Sequence, residues 1–192
     1  RVLYGFSGEG SGHSSRAREM ITHLLERGHR VLGASYDRGY DNLKDDFDLV
    51  RIEGLSIATA DNQVSALRTL AVNLAKLESG LAGVQALRRA IADFRPEVVI
   101  TDFEPVTAYL AQRHDLPLCT LDNQHRMRYM HYDAPRHLRL DQWITEMVIR
   151  MMVPSPDVAL PTTFFQGEVK NNRTFLFPPI LRSEVGALTP TN

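Results

Sequence analysis

The sequence has a single cysteine, almost no net charge and no long apolar run. One thiol, Cys119, rules out an internal disulfide framework and a multi-cysteine zinc site, and it suits a reducing compartment such as the cytoplasm. The 22 lysines and arginines are balanced by 23 aspartates and glutamates, so the broad positive field of a nonspecific nucleic-acid binder is lacking. No apolar segment reaches the roughly 18 residues of a membrane-spanning helix. We therefore expect a folded cytoplasmic domain that recognises any charged partner locally and binds no nucleic acid.

The length of 192 residues, 43% of them hydrophobic, suits one domain with one sizeable core. The prolines of residues 178–192 are typical of a linker, so the domain is predicted to cover residues 1–177. Because the sequence starts at Arg1 without a methionine, we expect it to be part of a longer polypeptide.

Apolar runs alternate with segments of helical periodicity along the chain. Residues 1–7 predict a strand, residues 14–27 a helix and residues 30–36 a second strand, which makes one βαβ unit. Further strands are predicted over 47–52, 96–102, 116–122 and 158–164. Further helical segments are predicted over 62–94, 105–114 and 140–152, with a break or bend between two helices at Gly80 and Gly83. This alternation is typical of an α/β fold with a doubly wound, Rossmann-like parallel sheet in the strand order 3-2-1-4-5.

Loops at the carboxyl ends of the strands are predicted to form a ligand crevice, because the strand order reverses between the first and fourth strands. Residues 8–13 and 102–105 would face one another across this crevice, with residues 122–125 close by. Candidate functional residues are therefore sought in these three loops.

Three alternating glycines stand in front of the first helix, within the run Gly8, Glu9, Gly10, Ser11, Gly12 and His13. Such a loop lets backbone N–H groups and the positive end of the helix bind a phosphate or a sugar oxygen. The alternative is that the glycines only form a tight turn between the strand and the helix. A dinucleotide fingerprint needs Gly or Ala where His13 stands, and no Gly-Lys-Ser or Gly-Lys-Thr of an NTPase loop follows. The carboxylate of Glu9 repels a bare phosphate and favours sugar hydroxyls.

His13 is the candidate catalytic base, because a neutral imidazole in a ligand crevice can take a proton from a hydroxyl group. The alternative for His13 is to cap the helix or to bind a ligand. Asp102 or Glu104 is expected to help His13 or to bind acceptor hydroxyls, and the alternative for Asp102 is a bond to backbone N–H groups. Four more candidate ligand-binding side chains line the same crevice: Phe103 as a flat apolar floor, and Asn123, Gln124 and His125 at its edge.

Four segments resemble the amino-terminal half of bacterial GT-B glycosyltransferases: residues 8–19, which hold the glycine loop and His13, and residues 27–31, 95–102 and 122–125. The similarity points to the group related to the peptidoglycan N-acetylglucosaminyltransferase, with its Gly-Gly-Thr-Gly-Gly-His loop. His13 matches that loop in position, whereas Glu9 and Ser11 depart from it. The resemblance covers nearly all 192 residues.

The resemblance implies transfer of a sugar, of the hexosyl type, from a nucleotide-sugar donor to an acceptor hydroxyl, with no cofactor and no obligatory metal. In that family the amino-terminal domain mostly binds the acceptor, which can be lipid-linked, and the carboxyl-terminal domain holds most of the nucleotide. The chain would then supply the acceptor-binding half and the base, and it would be inactive alone. The alternative is a stand-alone nucleotide-binding or regulatory module without catalysis.

Three further patterns occur in the sequence. Asp46 and Asp48 spell the Asp-x-Asp of metal-dependent sugar transferases, but such short patterns often arise by chance, so no metal is predicted.

Residues 125–139 hold four arginines and three histidines interleaved with tyrosines, a composition that binds anionic groups or simply faces water. An apolar stripe follows at helical spacing: Leu140, Trp143, Ile144, Met147, Val148 and Met151. This stripe is predicted to pack on the sheet. The alternative is that it contacts the inner surface of the membrane, where a lipid-linked acceptor would lie.

Overall fold

The strands and helices follow the predicted alternation in the computed structural model, which describes residues 1–54, 59–60, 63–64 and 77–186. The strands are β1 (Val2–Phe6), β2 (Val31–Ser35), β3 (Leu49–Arg51), β4 (Thr59–Ala60), β5 (Gln63–Val64), β6 (Val98–Asp102), β7 (Leu118–Thr120) and β8 (Val158–Ala159). The helices are α1 (Ser11–Glu26), α2 (Asp37–Leu43), α3 (Leu77–Phe94), α4 (Pro105–Arg113), α5 (His125–Tyr129), α6 (Arg139–Met152) and α7 (Ser183–Gly186), with a 3-10 turn over Arg136–Leu138.

Six of these strands form one all-parallel sheet in the order β3-β2-β1-β6-β7-β8. β1 pairs with β2 on one side and with β6 on the other, so that Val2 lies opposite both Val31 and Val98. Because β6 and β7 are the fourth and fifth strands of this sheet along the chain, the predicted order 3-2-1-4-5 is confirmed. The strand order reverses between β1 and β6, which places the switch point at their carboxyl ends.

Buried side chains alternate along β1 and divide the core into two layers. One layer contains Leu3 and packs under α3, α4 and α6, through Leu87, Leu110 and Met152. The other layer contains Val2, Tyr4 and Phe6 and packs under α1 and α2, through Ala17, Ile21 and Leu43. Both faces of the sheet are thus covered, as a parallel sheet requires.

The predicted division into two helices at Gly80 and Gly83 is wrong, because α3 runs without interruption from Leu77 to Phe94. Gly83 lies against the chain that follows β3, and a Cβ atom at this position would sit 2.8 Å from the backbone nitrogen of Glu53. The glycine therefore lets the helix approach that backbone closely. In the earlier part of the predicted helical segment 62–94, residues 63–64 form β5 instead of a helix, and residues 62 and 65–76 lie outside the described residues.

The polar stretch after β2 contains a short helix, α2, that the sequence analysis did not predict. α2 places the buried side chain of Leu43 in the layer under α1. The carboxylate of Asp46 pairs with Arg18 of α1 at 2.7 Å, and the backbone carbonyl of Asp48 accepts a hydrogen bond from Gly33. The two aspartates of the Asp-x-Asp pattern thus stabilise the connection between α2 and β3. Within the described ranges, no three His, Cys, Asp or Glu side chains converge on a position where they could hold a metal ion.

Residues 178–186, the first part of the predicted linker, turn back onto the layer of α1. Ile180 packs beside this layer, and the backbone nitrogen of Ser183 donates a hydrogen bond of 3.1 Å to the carboxylate of Glu19. Residues 187–192 lie outside the described residues, and the domain boundary at residue 177 stays a prediction. Among the helices that the structure describes, none combines the length and the apolar character needed to cross a membrane.

Candidate active site

The carboxyl ends of β1 and β6 lie side by side, with Phe6 opposite Asp102. After β1, residues 7–10 lead directly into α1, which begins at Ser11. Gly10 has a φ of 75°, a left-handed conformation that most residues with a side chain avoid, so the turn into the helix favours glycine here. The pairing of the two strands therefore brings the loops after β1 and β6 together.

Four of the five loop residues predicted to bind a ligand are exposed at this edge of the sheet: Glu9, Gly10, Ser11 and Gly12. Gly8 differs, because it is buried and a Cβ atom there would collide with the backbone carbonyl of Tyr36. Gly8 therefore serves the packing of the loop against the end of β2, and a ligand would meet the other four.

His13, in the first turn of α1, reaches the carboxylate of Asp102 at the end of β6. Its Nδ1 atom lies 2.8 Å from Oδ1 of Asp102, and the two side chains are 15% and 0% exposed. A carboxylate without a proton only accepts hydrogen bonds, so Nδ1 of His13 is the donor in this contact, and in the neutral imidazole this tautomer leaves the lone pair on Nε2. This tautomer suits a general base that acts through Nε2.

Arg16, also on α1, completes this arrangement, although the sequence suggested it only as a cation that could offset Glu9 and not as a partner of Asp102. Its Nε and Nη2 atoms donate to the two carboxylate oxygens of Asp102 at 2.7 and 2.8 Å, and Nη2 lies 3.2 Å from Nδ1 of His13. Burial opposes the charge of Arg16, but its hydrogen bonds and charge interaction with Asp102 outweigh burial and raise its pKa, so the guanidinium keeps its charge. The signal available in the sequence was the i, i+3 spacing of His13 and Arg16, which places both on one side of a helix.

Glu104, the other predicted helper of His13, has a different position and role. Its fully buried carboxylate accepts hydrogen bonds from the backbone nitrogens of Val106 and Thr107 at 2.8 and 2.7 Å, and from the Thr107 hydroxyl at 2.6 Å. These bonds cap the amino terminus of α4. Burial raises the pKa of Glu104, although the hydrogen bonds partly offset this effect. Asp102, and not Glu104, is therefore the carboxylate that contacts His13.

Phe103 lies between Asp102 and Glu104 in the chain, and the backbone turns at this residue. Its φ of 55° is unusual for a residue with a side chain, and such strained residues cluster at functional sites. The half-buried ring packs against the core layer under α3, α4 and α6, and it meets His125 edge-on at 6.4 Å between ring centroids. The turn directs Asp102 towards α1 and Glu104 towards α4.

Asp122 and His125 form a second carboxylate–imidazole pair in the loop after β7. Asp122 accepts hydrogen bonds from the backbone nitrogen of His125 at 2.8 Å and from its Nδ1 atom at 2.7 Å. Burial opposes the charge of Asp122, but its interactions with His125 outweigh burial and lower its pKa. His125 is fully buried and stacks on Tyr129 at 5.7 Å, so it holds the loop instead of lining the crevice as predicted. Asn123 is exposed and Gln124 half-buried beside it.

A family profile described as glycosyl transferase family 1 matches residues 1–192. The chain belongs to this family. Among solved structures, the family 1 domain resembles the calicheamicin glycosyltransferase CalG4, with 16% sequence identity and a TM-score of 0.58, over 94% of the chain and 53% of CalG4. It also resembles MurG of Acinetobacter baumannii, with 12% identity and a TM-score of 0.50, over 88% of the chain and 44% of MurG.

The spinosyn rhamnosyltransferase SpnG resembles the family 1 domain as well. In its complex with spinosyn aglycone the identity is 19% and the TM-score 0.51, over 84% of the chain and 44% of SpnG, and SpnG was also solved with thymidine diphosphate. No curated protein matches the chain significantly. The chain spans about half the length of the first solved structures that it resembles. At these identities the likeness concerns the fold, which is that of the amino-terminal half of GT-B glycosyltransferases.

Proposed function

We propose that this domain supplies the acceptor-binding half and the general base of a glycosyltransferase. The enzyme moves a hexosyl residue from a nucleotide-sugar donor to a hydroxyl group of an acceptor. The observation that carries the proposal is the 2.8 Å contact between Nδ1 of His13 and the buried carboxylate of Asp102. Membership of glycosyl transferase family 1 supports the class of reaction.

His13 takes the proton of the acceptor hydroxyl at Nε2 while the acceptor oxygen forms its bond to the anomeric carbon. The bond between that carbon and the nucleotide phosphate breaks, and the nucleotide leaves with the electron pair. Asp102 stabilises the imidazolium that forms, and Arg16 holds the carboxylate in place through two hydrogen bonds. General-base assistance of this kind typically contributes about 10²- to 10⁴-fold to the rate.

The acceptor is proposed to bind between the exposed residues 9–12 and Phe103, with Asn123 and Gln124 at its edge. The carboxylate of Glu9 accepts hydrogen bonds from hydroxyl groups and repels a bare phosphate. The ring of Phe103 supplies an apolar surface next to Asp102. The complex of SpnG with spinosyn aglycone supports a binding site for a non-nucleotide molecule in an enzyme of this fold.

The donor is proposed to bind mainly to residues outside this chain. The chain covers 53% of CalG4 and 44% of MurG, and its exposed glycine loop carries Glu9, which disfavours a phosphate. The complex of SpnG with thymidine diphosphate supports nucleotide binding in the fold as a whole. The 192-residue chain alone would therefore fold but show no sugar transfer.

Sugar transfer is tested with the protein in the longest form that its gene encodes. Radiolabelled UDP- and TDP-hexoses are offered with two kinds of hydroxyl acceptor, a polyprenyl-diphosphate-linked sugar and soluble polyhydroxylated compounds. The proposal predicts labelled acceptor with the longer protein and none with the 192-residue chain alone. Transfer by the chain alone would contradict the division between the two halves. Donor binding without transfer to any acceptor or to water would instead indicate a nucleotide-binding or regulatory module.

A further inference from the structure

The outer side of α6 is apolar and exposed in the part of the chain that the structure describes. Five side chains share this side at helical spacing: Leu140, Trp143, Ile144, Met147 and Met151, with exposed fractions of 65, 60, 40, 38 and 65%. The helix packs on the core through Val148 and Met152 instead. The prediction that the whole stripe covers the sheet is therefore wrong, since only Val148 of its members does so.

Basic side chains border this apolar side of the helix. A groove of about 350 Å³ beside Trp143 and Met147 is also lined by Arg128, Arg150 and Lys170. One carboxylate faces them in this groove, that of Glu146, and it pairs with Lys170 at 3.3 Å. Residues 126–152 hold five arginines against three acidic residues, whereas the whole chain has a net charge of −1. Three cations and one carboxylate thus line the groove next to Trp143 and Met147, which gives this groove an excess of positive charge.

We propose that this surface, named the α6 face and made of the five exposed apolar residues with Arg150 and Lys170, docks on an anionic lipid bilayer. The apolar side chains would enter the level of the headgroups, and the two cations would contact lipid phosphates. A helix with an apolar face bordered by cations lies in the membrane interface, where tryptophan is also enriched. The α6 face is independent of the proposed sugar transfer, because none of its residues belongs to the His13 site.

An exposed apolar helix face can also be covered by a second copy of the chain in a dimer. Pairing two α6 faces would bring the cations of both copies close together, and repulsion between like charges opposes such an interface. Anionic lipids neutralise the same cations, with a gain for each Lys or Arg held near the surface. The charge of the face therefore favours a lipid surface over a second copy.

Trp143 is the single tryptophan of the chain, so its fluorescence reports directly on the α6 face. The chain is mixed with vesicles of phosphatidylcholine alone or with about one third phosphatidylglycerol, a share that gives a negative surface potential. We expect a blue shift of Trp143 emission and co-sedimentation with the anionic vesicles, at least about tenfold weaker binding to the neutral ones, and weakening by salt.

Two double variants probe the two components of the face. Leu140→Ser with Met151→Ser keeps the Trp143 reporter and is expected to weaken binding about tenfold by removing apolar contact. Arg150→Glu with Lys170→Glu is expected to weaken binding to anionic vesicles about tenfold or more and to leave neutral vesicles unaffected. Leu25→Ser, in α1, and Arg27→Glu, directly after α1, are controls on the opposite face of the sheet, and both should bind as the parent does. Circular dichroism verifies that each variant is folded.

The absence of a blue shift with anionic vesicles would overturn the proposal, and so would equal weakening by the α1 controls. Sedimentation velocity without lipid addresses the second copy. A dimer that Leu140→Ser with Met151→Ser converts to monomers would assign the face to self-association and contradict lipid docking. If the gene encodes a longer protein, loss of vesicle binding in that form would show that the rest of the polypeptide covers the face, and it would contradict the proposal as well.

Discussion

Nδ1 of His13 and Oδ1 of Asp102 lie 2.8 Å apart although 89 positions separate the two residues in the chain. The parallel pairing of β1 with β6 produces this contact, because α1 begins shortly after β1 and Asp102 ends β6 opposite Phe6. Arg16 holds the same carboxylate from α1. The crossover topology thus places the imidazole of His13, the carboxylate of Asp102 and the guanidinium of Arg16 together at one edge of the sheet.

Asp102→Asn is expected to remove the charge of this carboxylate with little change in shape. The guanidinium of Arg16 then lacks its counterion in a mostly buried position, so the free energy of unfolding should fall by about 2–3 kcal/mol. The value of kcat for sugar transfer should fall by at least about tenfold, because the imidazolium loses its stabilising charge. Urea unfolding followed by circular dichroism measures the stability change.

Asp46→Asn is the matched control for this variant, since Asp46 also pairs with an arginine, Arg18, but both side chains are nearly half exposed. Exposed ion pairs typically contribute less than about 1 kcal/mol. Similar small losses in Asp102→Asn and Asp46→Asn would contradict a structural role for the pair of Asp102 with Arg16.

Glu104→Gln should change the pH dependence of stability without a large effect on kcat. Burial raises the pKa of Glu104 above its ordinary value of 4.5, so the folded chain holds this proton more tightly than the unfolded chain does. Stability from this group is therefore fully present below the ordinary pKa and is lost as the pH rises through the raised pKa. Urea unfolding at a series of pH values should show the parent losing stability relative to Glu104→Gln over that window. A relative gain with rising pH would have the wrong sign for this assignment.

Gly83→Ala should destabilise the fold although alanine is the better helix former by about 1 kcal/mol. The added Cβ atom would lie 2.8 Å from the backbone nitrogen of Glu53, so α3 or the chain after β3 must shift, at a cost of about 1–3 kcal/mol. Gly12→Ala is the control, because a Cβ atom on this helical residue meets nothing within 4 Å. Thermal unfolding should show a lower Tm for Gly83→Ala alone. An unchanged or higher Tm would mean that α3 does not approach this backbone closely.

The topology could be predicted from the sequence because apolar runs and helical segments alternate along most of the chain, which favours right-handed crossovers and a doubly wound sheet. The choice between Asp102 and Glu104 as partner of His13 could not be predicted. It depends on the positive φ of Phe103, which turns the chain between the two carboxylates. Glu104 was also hard to recognise as a helix cap, since Ser, Thr, Asp and Asn are the favoured capping residues.

The surroundings of α6 show a second limit of sequence patterns. The spacing from Leu140 to Met151 predicts an apolar side of a helix, but it does not show whether that side meets the sheet or solvent. Val148 and Met152 provide enough inward contact to dock the helix, which leaves Trp143 and its apolar neighbours exposed. The register of a helix on its sheet depends on tertiary packing that periodicity alone does not contain.

The role of His13 as the base is tested most directly by kcat and KM for sugar transfer in His13→Ala, made in the longest form of the protein that its gene encodes. His23→Ala is the control, because His23 lies exposed on the same helix. A lost general base should lower kcat about a hundredfold or more and change KM little, while His23→Ala keeps the parent values. A loss of only a few fold in a folded His13→Ala protein, or a loss mainly in KM, would contradict the catalytic role of His13.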